Sequence, residues 1–213
     1  MNTIRTAAPA PERHRRRRTG FAGALLVFGT VFALQACDDG PTEASRPSRI
    51  NDATGDFLAS FVGPNNADLD VVRGEVSFDR QNFVFESTSA GPIGTTQGAL
   101  FVWGVNRGAG TARFGELAPG VLFDAVVVIR PDGTGQVVDL TATPPAATPL
   151  PAGSVSINGA ELRAQVPANL LPSRGFQPAQ YTVNLWPRVG VGDNNQISDF
   201  APDNRNVPVR VTQ

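Results

Sequence analysis

The side chains able to do chemistry in this chain are almost all oxygen-bearing, and they gather in a few short stretches. Asp193-Asn194-Asn195, Asp199 and Asp203-Asn204 crowd the segment before the last apolar run. Carboxylates and amides at that density are hard-oxygen ligands of the kind calcium takes. Asp193, Asp199 and Asp203 are therefore the candidate metal ligands. Their spacing does not fit the alternating Asp-x-Asp/Asn loop with its central glycine, and the same residues cap backbone N–H groups in ordinary turns. Asn65-Asn66 with Asp68 and Asp70 form a second oxygen-rich stretch. Strand alternation would place Asp68 and Asp70 on one face about 7 Å apart, inside the roughly 5 to 9.5 Å that separates the two carboxylates of a glycosidase. Solvent-facing charges on an amphipathic strand are the plainer account. Near the end of the chain, Trp186 shares a strand face with Thr182, Asn184 and Arg188. An indole beside hydrogen-bonding groups is how a sugar-stacking surface is built, so Trp186, Asn184 and Arg188 are the candidate ligand-binding residues. The competing account is a tryptophan that covers a sheet edge. Trp103, alternating with Phe101 and Val105, reads as core. Asp124 sits in the most apolar run and needs a partner, with Arg107 and Arg113 the available cations. A carboxylate with a raised pKa is the sharper reading of the same residue.

The missing residue types narrow the chemistry further. From Asp38 onward there is no His, Lys, Met or Cys. That removes the usual general base, the Schiff-base amine and the thiol nucleophile. It also removes the commonest ligands of zinc, copper and haem iron. What remains is Asp/Glu chemistry, hydroxyls without a histidine partner, and hard cations. The expectation is a protein without catalysis. All 18 basic side chains are arginine. From Asp38 onward 12 of them face 18 acidic residues, a formal charge of −6. An acidic surface without a basic stripe argues against nucleic acid as a partner. The glycines around Arg107 to Arg113 have no helix behind them, so they make no phosphate cradle.

Cys37 carries the remaining chemistry. Arg13, Arg15, Arg16, Arg17 and Arg18 precede an uncharged run from Phe21 to Leu34. Its 14 residues are too few for a membrane span of about 20, and the pattern is that of a secretory signal. Leu34-Gln35-Ala36-Cys37 resembles a bacterial lipobox, with Gln35 larger than the residue usual at that place. The resemblance implies cleavage before Cys37 and acylation of its thiol. Residues 1–36 are thus expected to be a signal peptide, 37–51 a lipidated cysteine with a flexible polar linker, and 52–213 the folded domain, anchored by lipid to the bacterial cell envelope. No second cysteine follows, so no internal disulfide can staple the domain. A packed core has to hold it.

The elements that position these residues read as strands. Glu75–Asp79, Asn82–Glu86 and Tyr181–Arg188 alternate apolar and polar residues. Ala99–Val105 and Val121–Ile129 are apolar on both faces, as covered strands are. Leu69 and Val71 have the opposite parity to Val76 and Phe78, which predicts a bulge near Arg73-Gly74. Pro131-Asp132-Gly133-Thr134 and Asn158-Gly159 mark hairpins, with Gln136–Leu140 returning after the first. Pro144–Pro151 reads as a crossover loop, Ala168–Leu171 as the one short helical turn, and Val207–Val211 as an edge strand. The prediction is a single antiparallel, jelly-roll-like β-sandwich. The order Asp68-Leu69-Asp70 through Phe85, then Asp124 to Val128 with Pro131-Asp132-Gly133, then Glu161 to Pro167, then Tyr181 to Arg188 is similar to the carbohydrate-binding family 9 and DOMON-like sandwiches. The likeness covers most of residues 52–190. It implies a sugar-binding role, and it disfavours the haem-binding branch, whose His or Met ligands are missing here. The chain also resembles uncharacterised bacterial exported domains, which implies no function.

The expected function is a lipid-anchored binding or structural module of the cell envelope, with a glycan as the candidate ligand, no firm cofactor, and calcium as the candidate ion. Two other readings stand beside it. One is a carboxylate-based glycoside hydrolase working through Asp68 and Asp70. The other is assembly with an envelope protein through the terminal strand at Asn206–Gln213.

Overall fold

A computed structural model of the protein describes residues 48–212. Cys37, the signal at 1–36 and most of the expected linker lie outside the described residues. Within them the period-two pattern becomes fourteen short strands: β1 (Arg49–Asn51), β2 (Val71–Phe78), β3 (Asn82–Ser89), β4 (Ala99–Asn106), β5 (Thr111–Ala112), β6 (Leu122–Phe123), β7 (Ala125–Ile129), β8 (Gly135–Asp139), β9 (Ala146–Pro149), β10 (Val155–Asn158), β11 (Glu161–Pro167), β12 (Thr182–Val189), β13 (Val207–Pro208) and β14 (Arg210–Val211). The first sheet runs β1-β2-β3-β11-β10, with β14 also on β2; the second runs β13-β12-β4-β7-β8-β9. β5 and β6 make a small ribbon of their own. The pairs are antiparallel except β14 on β2, which is parallel. The molecule is the all-β sandwich that the alternation predicts. No helix among the described residues is long and apolar enough to cross a membrane.

The inward faces of the two sheets meet in the main core. Val76, Phe78, Phe83, Phe85, Leu162, Ala164 and Val166 come from one sheet, and Phe101, Trp103, Val105, Val127, Ile129, Val183 and Leu185 from the other. Phe83 stacks on Phe78 at 4.6 Å and on Tyr181 at 5.4 Å, while Phe85 meets Trp103 edge-on at 5.5 Å. Such aromatic pairs add to plain area burial. A bulge does occur, at Val72 between the pairs of Val71 and Arg73 rather than at Arg73-Gly74, and Leu69 lies in a turn before the strand. The bulge lets Val71 reach the same core as Val76 and Phe78 despite their opposite parity.

A second, smaller core covers the other face of the second sheet. Leu100, Val102 and Trp186 project there against Phe123 of β6 and against Phe114, Val121, Ile197 and Phe200 from the loops. This layer is why all eight residues of β4 are buried and why that segment reads as apolar on both faces. Gly104 is required by the layer. A Cβ at that position would lie 2.5 Å from the Trp186 ring and 3.2 Å from Phe123.

Several segments differ from expectation, among them Val207–Val211, which divides into β13 on the second sheet and β14 on the first. Asn51 and its two neighbours, counted with the linker, pair with β2 as β1. Ala146–Pro149, read as part of a crossover loop, pairs with β8 and forms an edge of the second sheet; proline is tolerated at an edge because one side of the strand needs no N–H donor. The run Val121–Ile129 is interrupted at Asp124 between β6 and β7, where the carboxylate turns to an arginine. Among the described residues no second layer covers the outward face of the first sheet, and both ends of the described body reach that sheet. Glu75 on β2 accepts Arg49 of β1 at 3.1 Å on one oxygen and Arg210 of β14 at 2.5 Å on the other.

Candidate functional site

The outward face of the first sheet is written in two cross-strand rows. Arg49, Glu75, Glu86, Arg163 and Ser156 oppose one another in the first, and Asn51, Arg73, Thr88, Glu161 and Asn158 in the second. Glu75 and Glu86 stand directly opposite, an unfavourable like-charge pair on its own. Arginines on both flanks offset it, with Arg163 paired to Glu86 and Arg49 and Arg210 to Glu75. Arg73 is exposed and forms no ion pair among the described residues. The rows floor a shallow groove of about 380 Å³ lined by Arg49, Arg73 and Arg163 and by Glu75, Glu86 and Glu161. Three guanidinium groups against three carboxylates leave it without net charge. Its chemistry is a dense mixture of fork donors and paired acceptors.

A second polar concentration forms where three segments meet beside β12. The loop after β1 is bonded to the loop before β13, with Leu58 N–H donating to Ser198 O at 2.8 Å and Val62 N–H to Asn195 O at 2.9 Å. The Ser198 hydroxyl ties in the third segment by donating to Leu69 O at 2.8 Å. Asp52 and Asp56 from the first loop, Asp70 from the third segment, and Asp199 and Asp203 from the second converge at this corner. One oxygen each of Asp56, Asp70 and Asp199 lie within 4.8 Å of one another, and so do one each of Asp52, Asp56 and Asp203. Asp70 and Asp199 are 4% and 1% exposed. Each gives one oxygen to a backbone N–H, Asp70 to Gly55 at 2.8 Å and Asp199 to Phe200 at 2.6 Å. The second oxygen of each is buried with no hydrogen-bond partner, as is one oxygen of Asp52. Burial and then the charges of Asp52 and Asp56 push Asp199 up to about 8. Burial and then Asp56 and Asp203 push Asp52 up to about 7. Asp70 is raised as well, chiefly by burial.

The residues singled out from sequence fall differently. Of the candidate calcium ligands, Asp199 and Asp203 lie in the acidic corner, but Asp193 belongs to neither carboxylate group; it is exposed, and its backbone carbonyl accepts the Arg188 guanidinium at 3.1 Å. The sugar-stacking reading of Trp186 is corrected. The indole is 2% exposed and packs among Phe114, Phe123 and Phe200, because the loop layer covers the face that alternation left open. Asn184 is fully buried and donates to the carbonyls of Pro202 and Arg205 at 2.7 and 3.0 Å. Arg188 donates to the carbonyls of Gly190, Gly192 and Asp193 and so shapes that loop. The paired-carboxylate reading of Asp68 and Asp70 is corrected too. Ala67–Leu69 is a single 3-10 turn rather than a strand. Asp68 is buried and accepts the Thr96 N–H at 2.8 Å and its hydroxyl at 2.6 Å.

Asp124 has the structural partner foreseen for it. Its carboxylate takes the Arg107 Nε at 2.5 Å and the backbone N–H groups of Arg107 and Ala109 at 2.9 Å each. The Arg107 guanidinium continues to Asp139 at 2.8 Å, which Arg174 also meets at 2.8 Å. Burial works against the Asp139 charge, but hydrogen bonds from Arg107, Thr141 and Arg174 outweigh it and hold the carboxyl well below the usual range. Arg113 stands instead over the Phe123 ring, 5.7 Å from its centre. Sequence reasoning missed Asp52 and Asp56, which lie about 140 residues from Asp199 along the chain and carry no local motif. It also missed the Arg/Glu rows, whose signal was the outward alternation of Arg73, Glu75, Glu161 and Arg163. Compared with known proteins, the chain matches no family model, no curated protein and no solved structure.

Proposed function

We propose that this chain is an exported, lipid-anchored protein of the bacterial cell envelope whose sandwich is a non-catalytic module binding an uncharged, hydroxyl-rich glycan across the outward face of the first sheet. The observation that carries the reading is the charge-balanced groove with the free Arg73 guanidinium at its floor. A polyanion or polycation gains nothing from a face with equal numbers of both signs. An apolar peptide finds no aromatic or aliphatic shelf there. Sugar hydroxyls both donate and accept, and they match alternating guanidinium and carboxylate groups. The anchoring part of the proposal rests on the arginine-rich start, the short apolar run and Cys37. Two acyl chains at that cysteine would hold the module on a membrane stably, where one binds only marginally.

The test is retention of the purified protein on a panel of neutral polysaccharides. Arg73→Ala is expected to weaken binding by about tenfold or more, the value of one hydrogen bond to a charged group, with the thermal midpoint unchanged because the exposed Arg73 side chain forms no ion pair among the described residues. Absence of retention on every neutral glycan, with or without calcium, would reject the reading. Mass analysis of the mature protein checks the anchor: an acylated Cys37 at the new amino terminus is expected, and an unmodified thiol refutes it.

A further inference from the structure

We infer that Asp56, Asp70 and Asp199, closed outward by Asp52 and Asp203, form a binding site for one calcium-class divalent cation. The inference is independent of the glycan reading. Five carboxylates from three chain segments meet at this corner, and none of them pairs with an arginine among the described residues. Surface acid clusters are common and tolerate their repulsion in water. This one differs because Asp70 and Asp199 are sealed from water and each keeps one oxygen with no donor. A buried polar atom without a partner is costly, and the rest of each carboxylate is held in place by a backbone N–H. The arrangement is that of preset ligands awaiting a positive charge.

The chemistry selects the ion. The donors are hard oxygens, and the chain offers no His or Cys nearby to favour zinc or copper. Ligand oxygens around one calcium, each at about 2.4 Å, lie at most about 4.8 Å apart, and the inner three carboxylates are within that reach of one another. Magnesium is usually held through one or two carboxylates and keeps several waters, so a site offering three or more carboxylates suits calcium. The ion's remaining positions would be filled by water on the exposed side, where Asp56 and Asp203 lie. A dication would also join the loop after β1 to the loop before β13, which share two backbone hydrogen bonds among the described residues.

The experiment is thermal unfolding of the full-length protein, stripped with a chelator and then titrated with calcium chloride. At calcium ten times its Kd the midpoint is expected to rise by about 3–6 °C. The rise is expected to disappear in Asp56→Asn and in Asp199→Asn and to persist in Asp193→Asn. Asp199→Asn should also be more stable than the parent in chelator, since an amide at that buried place neither repels its neighbours nor has to take up a proton on folding. Asp56 is exposed, so Asp56→Asn decides the matter even if Asp199→Asn fails to fold. No rise at 10-millimolar-scale calcium (about 10 mM, well above the ~0.1–1 mM affinities of extracellular modules), an equal rise with magnesium, or a rise that survives Asp56→Asn overturns the assignment.

Discussion

Asp199 and Asp52 hold protons at pH values where an aspartate in water has lost them, and this gives the protein an unusual dependence on pH. An aspartate raised from an unfolded value near 3.9 to about 8 or about 7 binds a proton in the folded state that the unfolded chain releases. Its contribution to stability is complete below about pH 4 and is lost as pH rises through 7 to 8. Asp139, whose carboxyl is depressed by its arginines, works in the opposite sense and only below about pH 4. In chelator, therefore, the thermal midpoint should fall steadily between pH 5 and pH 8.5, and Asp199→Asn should flatten that slope. Calcium is expected to restore the midpoint most at the alkaline end. A flat profile in chelator would show that the corner carries its charges without strain. The Arg107–Asp124 pair is the contrasting solution to the same problem: a buried carboxylate given its cation within the chain.

The central strands of the second sheet, β12, β4 and β7, have to satisfy two cores, and β4 shows what that costs in sequence freedom. Its odd residues serve the main core and its even residues the loop layer, so only Gly104 leaves room for the Trp186 ring. Gly104→Ala should destabilise the protein by about 1–3 kcal/mol, as overpacking does, because Trp186 is wedged among three phenylalanine rings and cannot give way. The change is readable as a drop of about 2–10 °C in the thermal midpoint; an unchanged midpoint would mean that the layer is loose. The strands were legible because alternation, the turn at Asp132-Gly133 and the parity break at Val71 are local signals. The loop layer was not. Whether the polar-looking face of Trp186 meets water or Phe114 and Phe200 depends on loops 70 residues upstream and a dozen downstream. The same reason hid the acidic corner, two of whose five carboxylates, Asp52 and Asp56, come from a segment without a motif that is distant from Asp199 along the chain. Pro144–Pro151 misled in another way: prolines suggested a bare connection, and an edge strand tolerates them.

At the scale of the whole molecule, the formal charge of −6 beyond Cys37 is unevenly placed, concentrated at the acidic corner and balanced to neutrality across the groove. Both chain ends of the described body attach to the same stretch of β2. Arg49 pairs opposite Glu75 and Arg210 opposite Ser77, two positions and roughly 7 Å apart along the strand, with Glu75 holding both arginines. The last described residue, Thr212, bonds to Phe78, three positions along β2 from the partner of Arg49, so the described body is nearly a closed ring. A circular permutant joining Thr212 to Arg49 through a few glycines, and opened instead at Asp132-Gly133, should fold to the same sandwich with a midpoint within a few degrees of the parent, as judged by circular dichroism and melting. An aggregated or unfolded permutant would show that the order of synthesis matters. If the ring closes, the module can be grafted into a loop of another protein without a spacer, and whatever pulls on its amino-terminal end is felt first by a single glutamate.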